Sequence, residues 1–235
     1  MNLSPATCKA WGDKFKAKYS ATRYNGCLQT FNAVLRLAIK GGLLAANPLA
    51  EITPASIKRR PKQLPTDAKF ALLLHYLRAH PRREAALLVV QFLAFTGRRI
   101  GHAQLLRPGD VDMSRQLITW APFKHDDKPQ IVPMIKQLVP VVKKLLRIHP
   151  GGDAPLLPIK NPRRALKTCC KLAGIPAMNN HDMRHLMTTK ALESGIPVPD
   201  VALLRGDLDG GKMLLTTYSH PRLDHLRSVV KRLRV

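Results

Sequence analysis

A run of prolines and cations between Ile52 and Pro65 restricts most strongly how this chain can fold. Its three prolines and four basic residues are Pro54, Pro61, Pro65, Lys58, Arg59, Arg60 and Lys62. Proline lacks a backbone N–H and fixes its own φ angle, so neither a helix nor a central strand can pass through this stretch. We therefore predict a basic linker over residues 53–65, between folding units at residues 1–52 and 66–235.

The first unit has the pattern of a helical segment. Ser4-Pro5 supplies a helix start, because serine caps a helix N-terminus and proline fits its first position. Apolar residues then recur at helical spacing from Leu28 to Ala38, and Gly41-Gly42 ends the pattern.

The second unit predicts a mainly α fold with a small antiparallel β-sheet. Two β-rich runs, Gln116–Phe123 and Gln130–Met134, flank a turn and form a predicted hairpin. The predicted helices cover residues 67–79, 83–95, 135–148, 162–173, 182–194 and 221–233.

The charge of the chain favours a polyanionic partner. Its 39 Lys and Arg residues against 15 Asp and Glu give a formal net charge of +24. Such a field attracts nucleic acid, and double-stranded DNA is the expected partner, although a merely soluble basic protein stays possible. The N-terminus lacks the apolar core of a signal peptide, and the four cysteines show no disulfide or metal-ligand spacing, so we expect a cytoplasmic, nucleoid-associated protein without a metal site.

Two groups of cations are candidate DNA contacts. Arg163, Lys167 and Lys171 recur every four residues, so they share one face of their predicted helix. Either this face follows DNA phosphates, or it is an ordinary solvated surface. The linker residues Lys58, Arg59 and Arg60 form the second group.

One set of residues points to metal-free attack on a phosphodiester. Tyr218 can supply the nucleophile, Arg99 and Arg184 can carry the charge of the phosphoryl oxygens, and His181 and Lys124 can move protons. His181 and Arg184 are three residues apart, so on a helix they project from the same side.

The motifs around these residues resemble those of the tyrosine recombinase, or phage integrase, family. In chain order they are Thr96–Gly101 (TGRRIG), Leu105–Asp112 (LLRPGDVD), Lys124, His181–His185 (HDMRH) and Thr217–Pro221 (TYSHP). The resemblance covers roughly residue 66 to the end, and extends weakly into residues 20–50. It implies a catalytic domain over residues 66–235, preceded by a truncated helical DNA-core-binding segment over residues 1–52.

The resemblance also implies roles for individual residues. Arg99 and Arg184 match the two catalytic arginines, and His181 matches the proton-transfer histidine. Lys124 matches the hairpin lysine that protonates the leaving 5′ oxygen, although Lys128 shares its turn. Tyr218 matches the nucleophile, which forms a 3′-phosphotyrosine link, without metal or nucleotide cofactor.

Three alternatives concern single residues. Arg98 stands where the family tolerates many residues, so a surface or DNA-backbone arginine is expected there. Lys124 can also be an exposed turn lysine, and His181 a helix cap.

The chain departs from the family pattern near the second arginine. Arg205-Gly206-Asp207 replaces the usual Leu-Gly-His, and the stretch from Asp207 to Tyr218 is about two residues longer than usual. An ionised Asp207 cannot donate a hydrogen bond to the scissile phosphate. His102 stands where the family usually has an acid, so a reciprocal His102–Asp207 hydrogen bond is one hypothesis, and simple decay is the other.

Three functions follow as expectations. The first is a site-specific recombinase that assembles as a tetramer on DNA, with the C-terminal helix, residues 221–233, contacting a neighbouring copy or its own core. The second is a degenerate DNA-binding relic or regulator without turnover. The third is an unrelated helix-turn-helix regulator.

Overall fold

The computed structural model describes residues 3–57, 63–122, 128–207 and 209–218. The chain divides into two compact units, residues 1–62 and 63–235. The interpretation of residues 1–52 as a core-binding segment and of residues 53–65 as a linker stays a prediction.

The first unit contains two helices, α1 (Pro5–Lys18) and α2 (Ala21–Lys40). The predicted start is confirmed, because the Ser4 side chain accepts a hydrogen bond from Thr7 N and forms a capping box. α2 ends at Lys40 with Gly41 as its C-cap, which confirms the predicted end. Its buried Tyr24, Leu28 and Leu35 pack with Cys8 and Leu49 in one small core.

The second unit is built around an almost entirely apolar helix, α4 (Glu84–Thr96), whose Leu and Val side chains and Phe92 are buried. A helix that is apolar on all sides is stable only when other elements cover it. α4 is covered by α3 (Asp67–Arg78), α6 (Leu138–Ile148), α7 (Arg163–Leu172) and α8 (Asn180–Glu193). None of the helices in the described ranges is long and apolar enough to cross a membrane.

A small antiparallel sheet lies beside these helices. Its strands are β1 (Val111–Asp112), β2 (Leu117–Trp120) and β3 (Gln130–Pro133), in the order β1-β2-β3. The predicted hairpin is confirmed, with Trp120 opposite Gln130. β1 was not predicted, because two residues are too few to show an alternating pattern.

Three short helices also escaped prediction: α5 (Ile100–Ala103), α9 (Val198–Arg205) and α10 (Lys212–Tyr218). Pro197 and Pro199 look like helix breakers in the sequence. Proline is tolerated in a first helical turn, however, and Pro199 lies in the first turn of α9 with Pro197 as the N-cap. The predicted helix over residues 221–233 lies outside the described residues.

Arg98 belongs to the core, so its interpretation as a surface or DNA-backbone arginine is wrong. Only 1% of the residue is exposed, and its guanidinium lies 4.5 Å from the centroid of the Trp120 ring. Its Nη1 donates to Gln130 Oε1 at 2.9 Å. The sequence could not show this, because Arg98 and Arg99 are adjacent residues of the same type, and their spacing does not tell which of them faces the core.

Gly206 gives the Arg98 guanidinium its space. Its φ angle is +70°, and a Cβ placed there would lie 1.9 Å from Arg98 Nη1. Gly210 has a similar φ of +62°, but a Cβ there would meet nothing within 4 Å. Alanine substitutions at the two positions can therefore be compared. Both carry the free-energy cost of a left-handed backbone, and only the one at Gly206 adds the cost of displacing a buried arginine.

We expect Gly210→Ala to lower the free energy of unfolding by about 1 kcal/mol, the usual penalty for a left-handed L-residue. Gly206→Ala should cost about 1–3 kcal/mol more, because the added methyl group overpacks the site and forces Arg98 away from Gln130. Urea unfolding of both variants measures the difference. Equal losses would contradict this assignment of Arg98.

Candidate functional site

The end of α4 places Arg99 at the protein surface. Gly97 adopts a left-handed conformation, φ +64°, and donates its N–H to Leu93 O, which ends the helix. A Cβ at Gly97 would lie 2.9 Å from Met187 Sδ on α8, so glycine also allows the two helices to approach. After this turn Arg99 extends outward, with half of its side chain, 50%, exposed.

α8 carries His181 and Arg184 on its first turns. The cap of this helix is Asn179, whose side chain accepts hydrogen bonds from His181 N and Asp182 N. The alternative that His181 itself caps the helix is therefore wrong. The His181 ring instead packs edge-on against the ring of His185, with the two ring centroids 4.6 Å apart.

The Arg184 side chain is almost completely buried, with 1% exposed. Its Nη1 donates to the backbone oxygens of Gly97, at 2.7 Å, and of Arg205. Its Nη2 donates to Asp207 Oδ1. Burial, followed by the like charge of Arg205, lowers the pKa of Arg184 to about 9, which leaves it protonated at neutral pH.

The Asp207 carboxylate is where the charged side chains of the site meet. Its side chain is 6% exposed, and Oδ1 accepts from both Arg184 Nη2 and Arg99 Nη2, the latter at 3.2 Å. Arg205 Nε lies 2.9 Å from Oδ2, an ion pair that is not aligned as a hydrogen bond. Three arginines therefore surround one carboxylate, and the cluster keeps a net positive charge.

His102 makes a different contact. Its Nε2 lies 3.0 Å from the backbone oxygen of Ala121, and its ring meets Trp120 at 5.2 Å. These contacts of His102 and the arginine contacts of Asp207 are not the hydrogen bond that the exchange hypothesis requires, so they give it no support.

The electrostatic environment keeps His181 neutral. Desolvation is the main cause that lowers its pKa below the ordinary value of 6.5, and the charges of Arg184 and Arg205 add to the effect. A neutral imidazole can accept a proton, so at pH 7 His181 is in the form that a general base needs.

The stretch from Asp207 to Tyr218 contains a helix cap followed by a short helix. The Asp209 carboxylate accepts hydrogen bonds from Gly211 N and Met213 N, and α10 begins at Lys212. Leu214 of α10 is buried against Val201 and Ala202 of α9. α10 ends at Tyr218, so the predicted nucleophile lies on a short helix anchored to α9.

Other predicted site residues are placed less completely. Arg163, Lys167 and Lys171 lie exposed on α7, while Leu166, Cys169 and Cys170 of the same helix are buried. This exposure fits both a DNA-facing surface and an ordinary solvated one. Lys124, Lys58, Arg59 and Arg60 lie outside the described residues, as does the side chain of Tyr218.

The site thus brings Arg99, Arg184 and Asp207 into direct contact, with His181 on the helix of Arg184. Sequence reasoning missed Arg205 as a member of the cluster. A signal for it was available in the sequence. Relative to the family pattern, a cation replaces leucine on one side of Gly206 and an anion replaces histidine on the other, which indicates a charge pair. Chemically, the cluster can hold an anion, because its arginines outnumber its carboxylate.

Comparison with known proteins places the site in context. The model of the phage integrase family matches residues 66–221. The tyrosine recombinase XerC of Mycobacterium sp. (strain KMS) is 28% identical, over 91% of this chain and 75% of the relative's length.

Solved structures share the fold. The Tn1549 transposon integrase in complex with a circular intermediate DNA superposes with a TM-score of 0.79, at 17% identity, over 99% of this chain and 86% of that one. A lambda integrase dimer bound to a COC′ core site gives a TM-score of 0.72, at 17% identity, over 89% of this chain and 80% of that one.

The depressed basicity of His181 can be measured directly. In an NMR titration its imidazole should change charge with a midpoint below pH 6.5, because desolvation and the nearby arginines oppose protonation. Arg205→Leu removes one of these like charges and should raise the midpoint. A midpoint above 6.5 in the unmodified chain would contradict the environment described for His181.

Proposed function

Since the chain belongs to the phage integrase family, we propose that it is a site-specific recombinase that cleaves and rejoins double-stranded DNA. Tyr218 is the proposed nucleophile, and the intermediate is a 3′-phosphotyrosine link. The family match supports the class of reaction, and the geometry of the arginine cluster supports the assignment of individual residues.

One observation carries the proposal. The Nη2 atoms of Arg99 and Arg184 both reach a single anionic oxygen, Asp207 Oδ1. Two guanidinium groups aimed at one oxygen are the arrangement that a phosphoryl group requires while negative charge develops on it. Arg99 is half exposed, so a DNA phosphate can approach the cluster from its side.

The proposed reaction balances without an external cofactor. Tyr218 Oη attacks the scissile phosphorus, and neutral His181 accepts the proton that the tyrosine loses. The bond from phosphorus to the 5′ oxygen breaks, and Lys124 protonates the leaving oxygen. A 5′-hydroxyl of a partner strand then attacks the phosphotyrosine and gives its proton to the now neutral Lys124, while protonated His181 returns a proton to the leaving tyrosine. One phosphodiester bond replaces another, so its energy is conserved.

The assembly and location follow from the same proposal. Recombination exchanges strands between two duplexes, so we infer that four copies assemble on DNA in the cytoplasm, with residues 1–52 and the basic linker also contacting the duplex. The competing function is a relic that binds DNA without turnover, and the cleavage assay distinguishes the two.

A nicked suicide duplex tests the reaction. The unmodified chain should form a covalent protein–DNA complex that survives denaturing electrophoresis, and Tyr218→Phe should abolish it because phenylalanine lacks the attacking oxygen. Arg99→Ala and Arg184→Ala should each slow its formation by about 10²–10³-fold, the usual cost of losing one transition-state donor.

Tyr76→Phe is the matched control, because it removes a tyrosine hydroxyl from α3 and should leave the yield unchanged. Binding of the same duplex without any covalent complex would favour the relic.

The exposed face of α7 predicts a salt effect. Replacing Arg163, Lys167 and Lys171 by Gln should flatten the slope of log affinity against log salt by about 2–3, because each lost phosphate contact removes about 0.9. Affinity should also fall equally for specific and unrelated sequences.

The control replaces Lys136, Lys143 and Arg147, exposed cations at and near α6, and makes the same change of net charge. If both triple variants change the slope equally, overall charge explains binding and α7 has no special role.

A further inference from the structure

Arg205 and Asp207 are linked by more than their position in the sequence. Both side chains are buried, and Nε lies 2.9 Å from Oδ2 across the left-handed turn at Gly206. Arg205 Nη1 also donates to Thr188 Oγ1 on α8, at 2.8 Å. Since a buried charge without a counter-charge is strongly unfavourable, Arg205 depends on the carboxylate of Asp207 for its place in the core.

The pair leaves the charge of the site unchanged. Arg99 and Arg184 alone carry two positive charges, and Arg205 and Asp207 add one of each sign. Asp207 alone would remove half of the net positive charge available to a phosphate. Arg205 alone would place a third arginine against two others.

Asp207 also restricts the two predicted catalytic arginines. Its Oδ1 binds the buried Arg184 and the half-exposed Arg99 at once. An exposed arginine has many rotamers in water, so this bond selects the conformer of Arg99 that points toward Arg184.

We propose that Arg205 and Asp207 act as one charge-balanced positioning pair for strand cleavage. Asp207 holds Arg99 and Arg184 toward a common point, and Arg205 offsets the negative charge that Asp207 brings to the phosphate site. This role rests on the proposed function, and it gives neither residue a contact with the reacting atoms.

The proposal predicts opposite effects of the two single substitutions on DNA binding. Arg205→Leu lowers the charge of the cluster and should weaken binding, whereas Asp207→His, with a neutral imidazole, raises the charge and should strengthen it. Both should slow cleavage by about tenfold or more, the former through lost positive charge and the latter because Arg205 without its counter-charge repels Arg184 and Arg99. The double variant restores charge balance and should recover cleavage to within about threefold, a coupling typical of contacting residues.

The experiment is a double-mutant cycle on the full chain. Single-turnover cleavage of the nicked duplex gives the rates, and binding is measured in a Tyr218→Phe background at fixed salt. Arg205→Lys keeps the charge and should keep binding within about twofold, which covers the case in which Arg205→Leu does not fold.

The surface ion pair between Lys190 Nζ and Asp67 Oδ1, at 2.7 Å and with side chains 44% and 82% exposed, is the matched control. Lys190→Leu and Asp67→His make the same chemical changes, but an exposed pair should show almost no coupling.

Additive effects on cleavage, or weaker binding by both single variants, would overturn the proposal, because they indicate general damage to the fold. A wild-type chain that binds DNA but never cleaves it would refute the proposed function instead. Even then, the binding measurements would still test whether the pair sets the charge of the site, because the opposite shifts expected for the two single variants do not depend on cleavage.

Discussion

The buried guanidinium of Arg184 is the contact on which the geometry of the site depends. It donates to the backbone at the end of α4 and at the end of α9, and to the carboxylate that follows α9. One side chain on α8 therefore fixes the ends of two other helices. Because Gly97 and Asp207 lie at those ends, the position of Arg99 is also set by this single buried charge.

Burying any one of these charges alone would cost free energy, and the charges are stable in the core only together. Each arginine in the core gives up hydration, and the one carboxylate between them compensates part of that loss. The lowered pKa of Arg184 reflects the same imbalance, since burial and like charges oppose its protonation more than Asp207 favours it. The excess positive charge is present before any DNA arrives, which is the preorganisation that favours a charged transition state.

The sequence predicted the parts of the molecule that follow from local rules. Capping at Ser4, the hairpin and the long helices have clear periodic or capping signals, and the spacing of His181 and Arg184 places them on one side of α8. The contents of the arginine cluster were not predictable in this way. The sequence shows Asp207 only as a group that cannot donate to a phosphate, because its partners, Arg99 and Arg184, are distant in the chain. Arg98 looked exposed because sequence spacing does not show which arginine of a doublet faces the core.

Because Asp209 caps α10, insertions before the cap and insertions within the helix have different effects near the tyrosine. α10 starts from this cap, so residues added between Asp207 and Asp209 can loop out without rotating the helix. Within α10 each residue turns the chain by about 100°, because a turn contains 3.6 residues. A single insertion between Lys212 and Tyr218 would therefore direct residue 218 away from its present side of the helix. Extra length before the cap, in contrast, leaves the angular phase of α10 unchanged.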